Sequence, residues 1–349
     1  MRAYGRTKAL ALAVGLLAAV TACTGDARSP ATSPAAAVTT SPPPSPSPGE
    51  PVVTREEAAQ AFTDVTVTDD EVRAARDPQG RTEEELQGRL KLAEDLTTGS
   101  QTALTVAAYL STGYAPHRYR WGPPTLFVPK FRQGEKAPWF SALATRDGRP
   151  TLLTFAKARI WRLSSAAELL PGQRLPDIEL DADGYATSVP PDDKTITISP
   201  QFMGPVHASV AETGKSGVTA GLLAPGPYTT EVAEQIATQR DDAKFRELSY
   251  DSIFSADNYP VYGLRTANGG ALIQYSLSRN STTKNMLDET YRAITVPKEA
   301  SWWISSETVP LSLKLTEIHQ YATAVPPLSA PAPAPVIAHE GALTRATGD

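Results

Sequence analysis

Four small groups of residues in this chain have the types for catalysis or for holding a phosphate or metal, and none completes the constellation its chemistry requires. Gly214-Lys215-Ser216 has the end of a phosphate-cradling loop, but that loop needs a glycine five positions before Gly214, where Ser209 stands. A surface turn is expected there. Ser281-Thr-Thr-Lys284 has the spacing of a serine nucleophile and its lysine, with Ser278-Arg-Asn280 and Lys215-Ser-Gly217 as candidate partners. Their order along the chain is the reverse of the one acyl transfer uses, and Ser281–Lys284 falls where a loop is expected. Glu179-Leu-Asp181-Ala-Asp183-Gly184 puts carboxylates at positions one, three and five of a calcium loop, with glycine at six. Position twelve is Pro190, so the bidentate acid is missing, leaving at most a weak calcium site near Asp181. His117, His207, His319 and His339 lack neighbours at metal-ligand spacing and are expected at surfaces or edges. No catalytic residue, metal ligand or cofactor is assigned.

The fifth candidate is the only cysteine. Arg2, Arg6 and Lys8 precede an apolar run of twelve residues, Ala9 to Val20. A bilayer span needs about 20 apolar residues, so residues 1–22 read as a signal segment. Val20-Thr21-Ala22-Cys23 closes it and resembles the lipobox of bacterial lipoproteins. The resemblance implies cleavage before Cys23, acylation of that residue, and attachment to the outer face of the cytoplasmic membrane. The lipid bilayer is then the first partner. Cleavage removes three positive charges, taking formal net charge from −5 to −8. An acidic body is expected to stand off an anionic surface, and it gives no basic stripe for nucleic acid.

The elements that must position any site lie between two low-complexity stretches. Residues 23–53 hold eight prolines, including Ser41-Pro-Pro-Pro-Ser-Pro-Ser-Pro48, and are expected to be a disordered tether. Ala330-Pro-Ala-Pro-Ala-Pro335 opens a stretch, 329–349, that is expected to be a disordered tail whose removal leaves the fold intact. Between them an internal repeat divides the chain. Tyr185-Ala-Thr-Ser-Val-Pro-Pro191 returns as Tyr321-Ala-Thr-Ala-Val-Pro-Pro327, and the turn dipeptides Asp147-Gly148 and Asn268-Gly269 sit between alternating segments in the same order. Two duplicated α+β units, 54–191 and 192–328, are expected, each with helices on a curved antiparallel sheet. Helical spacing marks Glu84–Leu96, Ala103–Tyr109 and Glu231–Phe245, and Thr54-Arg-Glu-Glu57 reads as a capping box. Strands are expected at Thr125–Pro129, Trp139–Thr145, Thr151–Leu163 and Tyr185–Val189, then Val261–Thr266, Ala271–Ser278, Trp302–Ser305 and Leu313–Val325.

Each half resembles the NTF2-like or cystatin-like plan. The whole chain, by lipobox, Pro/Ser tether and two-part body, resembles the uncharacterised actinobacterial lipoproteins that carry a domain of unknown function. That resemblance implies no catalytic residues. The function expected is non-enzymatic binding in the cell envelope, of an envelope protein, a wall glycan or a small lipophilic ligand. The alternatives are an envelope hydrolase with a carboxylate or serine site, and a ligand-free spacer.

Overall fold

Residues 52–74, 80–131, 137–286 and 293–349 are described by a computed structural model. The signal segment, Cys23 and nearly all of the tether lie outside the described residues. The described chain opens with helices α1 (Arg55–Ala74), α2 (Glu83–Asp95) and α3 (Ser100–Ser111). Strands β1 (Thr125–Phe127), β2 (Trp139–Arg146), β3 (Arg149–Lys157) and β4 (Trp161–Leu169) follow. Helices α4 (Pro200–Thr213) and α5 (Thr230–Phe245) lead into β5 (Leu248–Ser255), β6 (Tyr262–Arg265) and β7 (Ala271–Asn285). Last come the short strands β8 (Ile294–Thr295) and β9 (Thr308–Val309), and the long β10 (Ser312–Val325) and β11 (Val336–Gly348).

Local chemistry explains most of these boundaries. The hydroxyl of Thr54 accepts from the Glu57 backbone N–H at 3.0 Å, starting α1. Thr82 and Glu85 form a reciprocal capping box on α2. Asp147 and Gly148 take φ of 52° and 82°, the left-handed values a two-residue turn needs, and Arg146 pairs with Arg149 across it. Helix α4 escaped the sequence reading; its N-terminal Pro200 is a start signal, but Gly204 and Pro205 interrupt the pattern.

The strands make one antiparallel sheet in the order β1-β2-β3-β4-β11-β10-β7-β5, with β6 on β7, while β8 and β9 form a ribbon of their own. This corrects the expectation of two separate units. Strands of both halves share the sheet, so the NTF2-like or cystatin-like plan for each half has no counterpart. The turn dipeptides Asp147-Gly148 and Asn268-Gly269 do fall in corresponding hairpins, β2–β3 and β6–β7, but the Tyr-Ala-Thr motifs do not occupy equivalent places. Tyr321 lies inside β10, whereas Tyr185–Val189 makes only isolated bridges, such as Ser188 with Leu264. Trp302–Ser305 is not a strand either, and Thr151–Leu163 is split between β3 and β4.

The expected disordered tail is corrected too. Residues 336–348 are β11, which pairs along its length with β10 and joins β4 through Ala338↔Leu169 and His339↔Glu168. Val336, Ile337 and Ala338 are all buried. A strand covered on both faces need not alternate, and the Pro/Ala run before it hid the signal.

The sheet curls so that the inner faces of its halves meet. Trp139, Leu152 and Ala167 pack there against Tyr262, Leu272 and Ala322. A buried polar seam fixes the register: Thr154 Oγ1 donates to Gln274 Oε1 at 2.6 Å, and Gln274 Nε2 donates to Ser141 Oγ at 2.8 Å. On the outer faces, α1 covers β2–β4 through Phe62 and Val65. Helices α4 and α5 cover β7 and β10 through Met203, Val210 and Ile236. Helix α3 touches β4, β10 and β11, where β11 runs on after its two residues of pairing with β4.

Candidate functional site

Period-two geometry places the site. Ile273, Tyr275 and Leu277 of β7 lie under α4 and α5. The same face continues through Arg279, Ser281 and Thr283, and on β10 through Leu313, Leu315 and Glu317. This continuation floors a cleft of about 1500 Å³. Leu104, Ala107 and Ala108 of α3 form one wall; Ala243, Leu248, Tyr250 and Ile294 line it from the α5 end. A third side carries Asp69 and Arg73 of α1, the segment His117–Trp121, and Arg146.

Three of the arginines that line the cleft face carboxylates. Arg73 Nε donates to Asp69 Oδ2 at 2.7 Å, and its Nη1 donates to the His117 carbonyl at 3.0 Å. Arg146 is paired with Glu340 of β11. Both guanidiniums lie over the Tyr119 ring, at 4.8 and 5.0 Å from its centroid. Arg279 donates to Ser252 Oγ at 2.9 Å and to the Tyr250 hydroxyl at 3.2 Å, and lies 3.5 Å from Glu317. Burial pushes the Asp69 and Glu317 carboxyls up, while Arg73 and Arg279 oppose the shift.

The motifs singled out in the sequence land elsewhere or do other work. Gly214-Lys215-Ser216 is a 3-10 turn whose lysine bonds Glu234 at 2.9 Å. Ser281 and Lys284 lie in β7, not a loop, and residues three apart on a strand point to opposite faces, so this lysine cannot serve that serine. Asp181 Oδ1 accepts the N–H groups of Asp183 and Tyr185, and Lys130 Nζ donates to Asp181 and Asp183 at 3.3 and 3.0 Å. The ammonium thus sits where a cation would. Among the described residues no group of three His, Cys, Asp or Glu side chains is placed to hold a metal.

Three histidines expected at surfaces instead converge beside the cleft, which corrects that reading. His207 of α4 is fully buried, with Nδ1 at 2.8 Å from the Tyr275 hydroxyl and Nε2 at 2.6 Å from the Tyr228 carbonyl. His319 and His339 face each other across β10 and β11 at 3.0 Å, next to Glu317 and Gly341 of the cleft. A Cβ at Gly341 would come within 2.5 Å of His319, so only glycine leaves room for the imidazoles. Tyr321, the repeated tyrosine, packs among the three rings.

Desolvation holds His207 down to about 4, His339 to about 4 and His319 to about 3. Their folded values lie below the unfolded value, so the unfolded chain takes up protons first as pH falls below about 6.5. The stability these rings contribute is complete above that value and is lost as pH falls towards their folded values. His207 alone is expected to lose about 2 kcal/mol between pH 6.5 and pH 5. Asp69 and Glu317 work in the opposite sense. Urea unfolding at pH 7 and pH 5 should show the lower stability at pH 5; equal stability would mean the imidazoles are not buried in neutral form.

Sheet, helices and cleft define an α+β protein built on one curled antiparallel sheet with an open cleft of ligand size. Residues 49–348 match the family described as a domain of unknown function (DUF8094), and the chain belongs to that family. It is 27% identical over 352 residues to an uncharacterized lipoprotein of Streptomyces coelicolor, an alignment covering 95% of this chain and 92% of that protein. An uncharacterized lipoprotein of Streptomyces avermitilis is 28% identical over 141 residues, 39% of this chain and 40% of that protein. The resemblance to uncharacterised actinobacterial lipoproteins therefore holds. No solved structure matches the chain. No helix among the described residues is long and apolar enough to cross a membrane.

Proposed function

We propose that this chain is a lipoprotein, anchored through acylated Cys23 at the outer face of the cytoplasmic membrane, that binds an amphiphile without chemically changing it. The cleft carries this reading. A volume of about 1500 Å³ exceeds the roughly 300–1,000 Å³ typical of small-molecule sites, as an elongated ligand requires. Leu104, Ala107, Leu313 and Leu315 offer an apolar track, and the paired charges offer fixed polar contacts at its sides. A spacer has no use for such a cleft.

Hydrolysis by buried carboxyls is the second reading, favoured by the upward shift of Asp69 and Glu317. Each has an arginine of its own, however, which suits a binding wall better than a proton donor.

Native mass spectrometry of the full chain, extracted gently from membranes, tests the binding reading. A bound amphiphile is expected on the wild type and its loss, on the order of tenfold or more, on the cleft-filling variant Ala108→Trp. Equal occupancy of both proteins, or an empty wild type, would overturn it.

A further inference from the structure

The side of the cleft formed by α1, the His117–Trp121 segment and β11 differs in chemistry from the aliphatic wall of α3. It holds aromatic rings in sequence: His117 meets Tyr119 edge-on at 5.4 Å, and Tyr119 meets Trp121 edge-on at 5.9 Å. It also holds two guanidinium–carboxylate pairs, Arg73 with Asp69 and Arg146 with Glu340. We propose that this end of the cleft is a saccharide subsite, so that the ligand is a glycolipid whose sugar lies against His117 and Trp121 while its hydrocarbon follows α3.

Charge balance carries the argument. Five acidic side chains (Asp69, Asp242, Glu299, Glu317, Glu340) and five basic ones (Arg73, Arg146, Arg246, Arg279, Lys298) line the cleft. A phosphate or carboxylate head needs an excess of cationic partners, and a quaternary ammonium head needs an excess of acids or an unblocked aromatic cage. Here Arg73, Arg146 and Arg279 already face carboxylates, and two guanidiniums lie over the Tyr119 ring. A head group carrying hydroxyls has the opposite requirement. It wants donors and acceptors side by side in fixed geometry, and it brings no net charge that must be desolvated. A guanidinium held against a carboxylate supplies both, and aromatic rings receive the apolar C–H faces of a sugar. Arg73 itself is nearly all buried, with a side chain 5% exposed, so its position is set before any ligand arrives.

The inference rests on the amphiphile reading, and a set of probes with one chain and different heads separates the two. The full chain with Cys23→Ser, prepared without detergent, is titrated below micelle formation with dodecyl maltoside, dodecyl phosphate and dodecyltrimethylammonium. Dodecyl maltoside is expected to bind on the order of tenfold more tightly than either charged probe. His117→Ala and Trp121→Leu should each erase that preference, the first, at a side chain 70% exposed, leaving thermal unfolding and the affinity for the charged probes little changed. Equal binding of all three probes, or a preference that survives both substitutions, would overturn the saccharide subsite and leave the amphiphile reading standing. Failure of every probe to bind would sink both.

Discussion

A chain truncated after Pro327 is expected not to fold. Strand β11 would be missing, and with it the hydrogen bonds it makes to β10 from Leu313↔Gly348 to Thr323↔Val336. Its buried Val336, Ile337 and Ala338 would go too, uncovering Leu169 on β4 and Tyr321 and Ala322 on β10. Two strand edges and several apolar side chains per face would then meet water. That loss exceeds the roughly 5–15 kcal/mol by which a domain is stable. The truncated chain should show no cooperative thermal transition by circular dichroism and should be digested rapidly by protease under conditions the full chain is expected to withstand. A cooperative melt near the full-length temperature would show that the sheet closes without β11.

The substitution Cys23→Ser is expected to abolish fatty-acid labelling in cells and to release the protein from membranes. In the proposed lipidation sulfur is the atom acylated, and a serine hydroxyl does not replace it. A single acyl chain holds a protein only reversibly, with a binding constant of about 10⁴ M⁻¹, whereas more than one holds it stably. On the proposed reading, Cys23 is the attachment point, and its loss turns stable anchoring into none. Labelling with a clickable fatty acid, followed by membrane sedimentation, reads both effects. A serine variant that stays with the membrane would locate the anchor elsewhere in the chain.

How much of this was legible in the sequence depended on whether the signal was local. The Asp147-Gly148 turn, the α5 helix and the β2–β3 hairpin are written in neighbouring residues, and each forms close to where it was expected. Strand pairing is not local. Nothing near Val336 announces that it will sit between β4 and β10, and its proline-rich approach argued for the opposite. The repeat misled for a related reason: Tyr185 and Tyr321 share a motif, but only Tyr321 has strands to pair with on both sides. The cleft stayed hidden because its residues are drawn from α1, α3, α5, β7, β10 and β11. One trace was visible. Arg279 and Glu317 each continue the spacing of an apolar strand face, and a charge in such a position marks where a covering layer ends.

Among the strands of the large sheet, the one that joins its halves comes after all the others in chain order. During synthesis, then, β1–β4 and β5–β10 both exist before the strand that pairs with β4 and β10 is made. Until β11 is added, each presents a row of unpaired N–H and C=O groups, and the joining pair Glu168–His339 must close a loop of more than a hundred and fifty residues. Completion of the sheet is consequently a late and slow event, governed by long-range encounter more than by local preference. The chain is thereby kept open and threadable for most of its synthesis, and a product cut short before β11 carries exposed edges instead of a defective but closed fold.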